Sequence, residues 1–490
     1  MTALRNENHN RCVPPLGDAE IKRIVDSISG RAALDNPNDL TEAGNARRFA
    51  AQHSDKIRYC HGWKKWLLWD GSRWRRDEDG EAMRLAKNTA TSIYTDIAQY
   101  SDSEVRKNVA KHASKSESDY SLNAMLRLAQ TEVGISAKPA DFNKDPWLLN
   151  VQNGTVNLKT GRLEPARKEQ LITKLAPVEF SKDARCPEWE KFLSHVMAKN
   201  REMIRFLQQA IGYSLTGSVR EQKLFFFYGT GANGKSTFLN IIQEMLGDYS
   251  KQAAPELLVA KIGNTHPTEI ADLQGSRFVV AVEVDEGKRL AEALIKQMTG
   301  GDRINARFMH QDFFEFEPTH KLFLAANHMP LIHGTDYGIW RRIMLVPFTV
   351  TIPEKEQDKE LISKLREEMP GILAWAVKGC LDWQKSGLQP PARVERATTS
   401  YQSEMDVMGK FLEEQCSAEA NDPGKQVKAS TLFEAFTKWS MSNGDQQRLT
   451  RQDFSMRLRG RGFKTKRHGD GYRWLGISLR RPSLKEDKAA

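Results

Sequence analysis

Gly229-Thr-Gly-Ala-Asn-Gly234-Lys235-Ser236-Thr237 fits the pattern G-x-x-x-x-G-K-[ST] without a mismatch. Its flanks make the reading specific. Leu224-Phe-Phe-Phe-Tyr228 precedes it, a short apolar run that predicts a buried strand. Phe238, Ile241, Ile242, Met245 and Leu246 follow at helical spacing until Gly247 stops the turn. Strand, glycine loop and helix N-terminus together form a phosphate cradle. Backbone N–H groups and the positive helix end face a triphosphate, Lys235 reaches its β/γ oxygens, and Ser236 ligates Mg²⁺. The expected nucleotide-binding set is Gly229, Thr230, Gly231, Ala232, Asn233, Gly234, Lys235, Ser236 and Thr237, with ATP and Mg²⁺ as cofactors.

Further along, Arg277-Phe278-Val-Val-Ala-Val282-Glu283-Val284-Asp285-Glu286-Gly287 reads as an apolar strand that delivers carboxylates. One acid is needed for the Mg²⁺ shell and a neighbour for the attacking water. Asp285 is assigned to the metal and Glu286 to the water, with Glu283 as the alternate. Lys288–Met298 has the spacing of an amphipathic helix, stopped by Gly300-Gly301. Ile304–His310 and Phe313–Phe316 read as two strands around Gln311-Asp312. A strand over Lys321–Ala326 ends on Asn327, by itself a turn residue, whose order after the other two elements suits an amide sensing a γ-phosphate. Arg341 and Arg342 precede a further apolar strand. Either suits an arginine finger reaching a neighbour's ATP, and either suits a local salt bridge.

This order of parts resembles the superfamily 3 helicases, AAA+-related motors of small DNA viruses, phages and plasmids. The nearer likeness is to the phage/plasmid primase–helicase family, also similar to the poxvirus primase–helicase. Its stretches run E-x-x-E-G-x-x-L-x-E-A-L-I-K-Q-x-T-G-G-D-x-I-x-A-R, and Glu283–Arg307 matches nearly throughout. The resemblance implies an α/β fold with an AAA+-like P-loop NTPase core, a mixed α/β N-terminal domain and a helical collar. It implies Walker roles for Lys235, Asp285 and Glu286, a sensor role for Asn327 and a finger at Arg341 or Arg342. It also makes Arg303–His310 a hairpin projecting into the channel of a hexameric ring. Relatives carry a lysine–histidine pair there; this chain has Arg307 and His310.

Outside the motor, four tryptophans (Trp63, Trp66, Trp69, Trp74) surround an Asp70-Gly71 turn and predict a β-hairpin core. Ser101–Tyr120 is polar enough to read as a connection. Two apolar helices over Glu188–Leu215 suit a collar or an intrachain bundle. Near the C-terminus, Ser430 can cap one helix, and Thr450 with Asp453 forms a capping box for a second. That second helix carries Arg451, Arg457 and Arg459. A hairpin follows with Lys464, Lys466, Arg467 and Arg473, the pattern of a winged helix that binds DNA. The expected domains are an arm over 1–45, an N-terminal domain over 46–187, a collar over 188–220, a motor over 221–400, a winged helix over 408–480 and a tail over 481–490.

A formal net charge of +10 favours a polyanionic partner. The five cysteines form no C-x-x-C pair, and no apolar run reaches membrane-spanning length. These features suggest a cytoplasmic protein without a membrane partner. The expected function is an ATP-dependent replicative DNA helicase of a phage, prophage or plasmid. It would act as a homo-hexamer on single-stranded or forked DNA, alongside a separate primase or other replication proteins. The alternatives are a primase–helicase making its own primers and an origin-binding or regulatory ATPase. Against priming, the chain before the motor is short and carries neither zinc-ribbon cysteines nor a convincing Asp-x-Asp strand.

Overall fold

A computed structural model describes residues 39–260, 267–282, 287–309, 312–332, 337–420, 422, 424–443 and 449–480. The expected tail, most of the arm, Glu283, Asp285, Glu286 and His310 lie outside these residues.

The first layer is α/β. Helix α1 (Glu42–His53) starts where Thr41 Oγ1 accepts the Gly44 N–H at 3.0 Å. Strands β1 (Ile57–Cys60), β2 (Lys65–Trp69) and β3 (Trp74–Arg76) follow, then helices α2 (Glu81–Asp96), α3 (Ser103–Ser116) and α4 (Asp119–Ala129). Strand β4 (Ser136–Ala137) completes a sheet ordered β3-β2-β1-β4. The tryptophans pack into this layer: Trp74 is fully buried, Trp66 meets Phe49 and Tyr59 edge-on, and Trp63 stacks on Phe142. The polar stretch read as a connection is helix α3 instead. Its buried face mixes Val109 and Ala113 with polar groups, so an apolar count underrates it. His112 Nε2 lies 2.9 Å from Asn45 Oδ1, and Asn45 Nδ2 donates to Ser116 Oγ at 2.9 Å.

A small antiparallel sheet of β5 (Leu148–Val151), β6 (Gly154–Asn157) and β7 (Arg162–Glu164) leads into helices α5 (Pro187–Val196) and α6 (Arg201–Leu215). Strands β5 and β6 and both helices share one apolar core with the sheet that follows. The helical pair therefore packs within the chain.

That next sheet is parallel throughout. It is built from β8 (Leu224–Tyr228), β9 (Ser250–Ala253), β10 (Phe278–Val282), β13 (Lys321–Ala326) and β14 (Ile343–Pro347). Between these come α7 (Lys235–Leu246), α8 (Pro267–Ala271), α9 (Glu292–Gly300), the hairpin β11 (Ile304–Ala306) with β12 (Phe314–Phe316), and α10 (Tyr337–Trp340). The sheet order is β14-β8-β13-β10-β9, so the strand before the glycine loop is flanked by two strands from much later in the chain. Both faces are covered, which explains the unbroken apolar runs. Phe225, Phe227, Val280, Phe323 and Val346 face α5–α7, while Leu224, Phe226, Ala281, Leu324 and Leu345 face α9 and the C-terminal side. The helix predicted to begin at Lys288 begins at Glu292. Residues before it are held extended, with Leu290 N donating to Leu331 O and Ala291 N to Leu258 O.

Helices α11 (Leu361–Glu367), α12 (Met369–Ser386) and α13 (Ala392–Met405) close the core. The last region comprises α14 (Val407–Gln415), β15 (Cys416–Ala418), β16 (Gln426–Lys428), α15 (Ala429–Ser442), α16 (Arg451–Gly460), β17 (Lys464–His468), β18 (Gly471–Leu475) and β19 (Ile477–Leu479). Three helices pack on an antiparallel sheet ordered β16-β18-β17, around Phe411, Phe436, Phe454 and Trp474. Thr450 caps α16 as its spacing predicts, accepting from Asp453 N at 3.1 Å. Ser430 does not cap α15, which starts one residue earlier after Lys428.

Candidate active site

The glycine loop leaves the carboxyl edge of β8, where ligands of open α/β sheets bind. Its shape is set by close approaches. A Cβ on Gly229 would stand 2.1 Å from Phe348 O, and one on Gly234 would stand 2.6 Å from Val196 Cγ1. Gly234 also has φ +83°, which favours glycine. A Cβ on Gly231 would meet nothing within 4 Å, so that side of the loop is open. Asn233 is buried and pins the loop, donating to Thr230 O at 2.6 Å and Phe348 O at 3.3 Å. Ala232 O accepts from Ile352 N at 2.8 Å. The segment 348–352 thus walls the loop through backbone atoms, which carry no side-chain signature in the sequence.

Helix α7 starts at Lys235 with no side-chain cap. Lys235 N–H donates to Asn233 Oδ1 at 3.4 Å, and the first turn of such a helix is where an anion is taken up. Ser236 and Thr230 are exposed there, and Thr237 is half-buried. Lys235 is buried, and burial pushes its amine below the usual lysine range. Its Nζ donates to Gly229 O and, at 3.1 Å, to Asn327 Oδ1. The lysine and the residue expected to sense the γ-phosphate therefore meet, although 92 positions separate them. Val282 ends β10 in register with Ala325, so Glu283, Asp285 and Glu286 follow a strand that finishes at this same edge. Among the described residues no group of three or more His, Cys, Asp or Glu is arranged to hold a metal.

The two arginines stand at the other edge. Leu224, the first residue of β8, donates its N–H to Arg342 O at 2.8 Å. Arg342 is buried: Nε donates to Thr299 Oγ1 at 3.0 Å and Nη1 to Gly338 O at 2.5 Å. It sits at the C-terminal end of α9, where a cation is favoured. Arg341 is exposed and donates to Gln222 Oε1 at 2.7 Å.

Two further buried cations, not singled out in the sequence, hold the helical pair to the sheet. Arg277 donates to Leu215 O at 2.6 Å and Leu148 O at 2.8 Å. Lys321 Nζ donates to Thr216 O and to Thr319 O, the latter at 2.9 Å. Both bind carbonyls at the end of α6, and burial lowers the proton affinity of each. A charged residue opening an otherwise apolar strand was the available signal.

The residues expected to contact DNA divide into outward and engaged groups. Arg307 is exposed, whereas Arg303 lies between Glu315 at 3.9 Å and Glu317 at 3.7 Å. Arg451, Arg459, Lys464, Lys466 and Arg467 are exposed. Arg457 is half-buried, and burial lowers its proton affinity against the opposing pull of Asp453 and Asp406. Arg473 donates to Asp470 Oδ2 at 3.0 Å. No described helix is long and apolar enough to cross a membrane.

Fold and site define a mixed α/β protein with a parallel sheet and a lysine-bearing glycine loop at the carboxyl end of β8, between β14 and β13. Residues 46–198 match the family described as D5 N terminal like, and 227–342 match a family described as of unknown function. A protein of Acanthamoeba polyphaga mimivirus named as a helicase is 25% identical over 342 residues, 63% of this chain and 36% of its own. A Frog virus 3 protein named as a helicase is 27% identical over 261 residues, 49% of this chain and 26% of its own. A protein of African swine fever virus named as a primase is 20% identical over 347 residues, 65% of this chain and 35% of its own. This chain thus spans about a third of the length of these relatives. Together the matches support membership of the phage and viral primase–helicase-like family. The solved C-terminal region of NrS-1 superposes with a TM-score of 0.47 at 10% identity, over 86% of this chain and 96% of that one.

Proposed function

We propose that this protein is an ATP-dependent DNA helicase of a phage, prophage or plasmid, with an AAA+-like superfamily 3 core working as a homo-hexameric ring on single-stranded or forked DNA. The observation that carries this reading is the placement of the Lys235 cradle and the exposed Arg341 at opposite edges of one parallel sheet. Five residues of β8 separate the edges, about 16 Å at the usual strand rise. An arginine there is too far from its own loop, but in a head-to-tail ring it stands at the next subunit's loop. Arg341 is the better finger, because Arg342 is buried as the clamp on α9.

Magnesium ATP, when bound, supplies the phosphoanhydride whose cleavage drives the cycle. Loop amides and the start of α7 hold the phosphates, and Lys235 leaves Gly229 O and Asn327 to reach the β/γ oxygens. Ser236 with Asp285 would hold the metal. Glu286, or Glu283 in its place, would orient and deprotonate the attacking water. Asn327, released from Lys235, is then free to read the γ-phosphate. The C-terminal region acts as a winged helix, with α16 toward a groove and β17–β18 on phosphates. The cytoplasm and a separate primase complete the proposed setting.

The trans arrangement is tested by mixing. Arg341→Ala and Lys235→Ala should each lose ATP turnover, the former by about a thousandfold or more. Mixed rings should regain part of it, since some interfaces then carry an intact loop and an intact finger. No recovery in demonstrably mixed rings would remove the trans role. The primase reading, suggested by the name of the swine fever virus relative, predicts template-dependent primer synthesis by this chain. The regulatory reading predicts duplex retention without strand separation.

A further inference from the structure

The far end of α7 is tied to the N-terminal layer. The helix stops at Gly247, whose φ is +50° and whose added Cβ would stand 2.4 Å from Pro177 Cδ and 2.8 Å from Leu175 O. The next residue, Asp248, is bonded through both backbone and side chain. Its N–H donates to Leu175 O at 3.1 Å, and its carbonyl accepts from Lys174 Nζ at 2.9 Å. Asp248 Oδ2 accepts from Leu175 N at 3.0 Å and from Arg73 Nη1. Arg73 belongs to the β2–β3 turn, which Asp70 shapes by accepting from the N–H groups of Ser72 and Arg73, each at 2.8 Å. A buried amide joins the same pieces a second time. Asn150 of β5 donates through Nδ2 to Ser72 O at 3.0 Å and to Lys174 O at 3.2 Å. Its N–H donates to the hydroxyl of Tyr249, also buried, at 3.1 Å. A satisfied buried network of this kind specifies one arrangement.

Helix α7 carries that arrangement to the glycine loop. Its 12 residues span about 18 Å. Phe238, Ile241, Ile242, Met245 and Leu246 are all buried, so the helix moves as one packed body. We propose that Arg73 and Asp248 are positioning residues for the cradle: the β2–β3 turn braces α7 from behind and sets how tightly the loop holds a triphosphate. The inference rests on the reading of the loop as an ATP site and adds the element that tunes it. Neither residue reaches the nucleotide, so the pair acts on binding and leaves the chemical step alone. Both side chains are partly exposed, which limits the effect to a few-fold.

Binding of a fluorescent N-methylanthraniloyl ATP with Mg²⁺ to the full chain is measured beside steady-state turnover. Arg73→Ala and Asp248→Asn should each weaken binding and raise KM about two- to fivefold, with kcat within about twofold of the parent. The double variant should bind no more weakly than the weaker single one, because both changes remove the same bond. Arg73→Lys should recover part of the loss. Arg84→Ala breaks a pair with Glu81 inside the N-terminal layer and should leave binding unchanged. Equal affinity in the parent and Arg73→Ala overturns the proposal. So do additive losses in the double variant. A loss in Arg84→Ala equal to that in Arg73→Ala also overturns it, because the stability of the layer would then be the cause. Failure of the parent itself to bind the nucleotide removes the ATP reading instead.

Discussion

Lys235 meets Asn327 because two separate constraints converge on one sheet edge. The motif puts the lysine at the head of α7, and β13 ends beside β8 with its last alanine opposite Tyr228. The motif itself was fully legible in the sequence, since phosphate binding needs its residues at fixed local spacing. The lysine–asparagine contact was not, because it depends on strand order. A second residue, His320, makes a prediction about pH. It is buried just before β13, and burial beside Lys321 pushes its imidazole down to about 3. Unfolded, it titrates near ~6.5. The folded state therefore binds fewer protons between these values. The stability His320 allows is fully present above pH ~6.5 and is lost as the pH falls toward 3. Denaturant midpoints from pH 7.5 to pH 5 should fall in the parent, approaching about 1 kcal/mol per pH unit from this group once the pH is well below ~6. His320→Leu should flatten that decline, and an unchanged pH profile in the variant would assign it to other groups.

Helices α6 and α12 cross through two glycines. A Cβ on Gly212 would stand 2.1 Å from Cys380 N, and one on Gly379 would stand 2.1 Å from Gln208 O. Both obstacles are backbone, so neither helix can yield cheaply. Gly212→Ala should cost about 1–3 kcal/mol, read as a lowered denaturant midpoint. A midpoint equal to the parent's would mean the helices separate freely. Periodicity found the first of these helices but gave no sign of the crossing. It failed differently at Ser103–Ser116, where Asn45, His112 and Ser116 share the packing with only Val109 and Ala113. At residues 288–291, backbone bonds to two neighbouring segments win over a helical pattern. In the C-terminal region, outward basic residues concentrate on α16 and β17 while Phe411, Phe454 and Trp474 face inward. Removing residues from about 408 onward should weaken duplex binding and flatten its salt dependence, because several phosphate contacts leave together. Unchanged affinity would make this region a protein-docking module.

Across the whole molecule, the sheet acts as a spacer with the glycine loop on one edge and Arg341 on the other. The hairpin follows directly from α9, and α9 is held at its far end by Arg342 and by Gln222 Nε2, which donates to Gly300 O at 2.8 Å. Gln222 also accepts from Arg341. A neighbour's nucleotide pulling on Arg341 would therefore disturb the residue that caps the helix leading to the hairpin. On the proposed helicase reading, that path would link hydrolysis at an interface to movement of the hairpin. Its most direct test is strand displacement on a forked DNA by the full chain with Mg²⁺ and ATP, compared with Lys235→Ala. The account predicts ATP-dependent separation of the strands by the parent and none by the variant. Hydrolysis of ATP on the same fork with both strands left paired would contradict it.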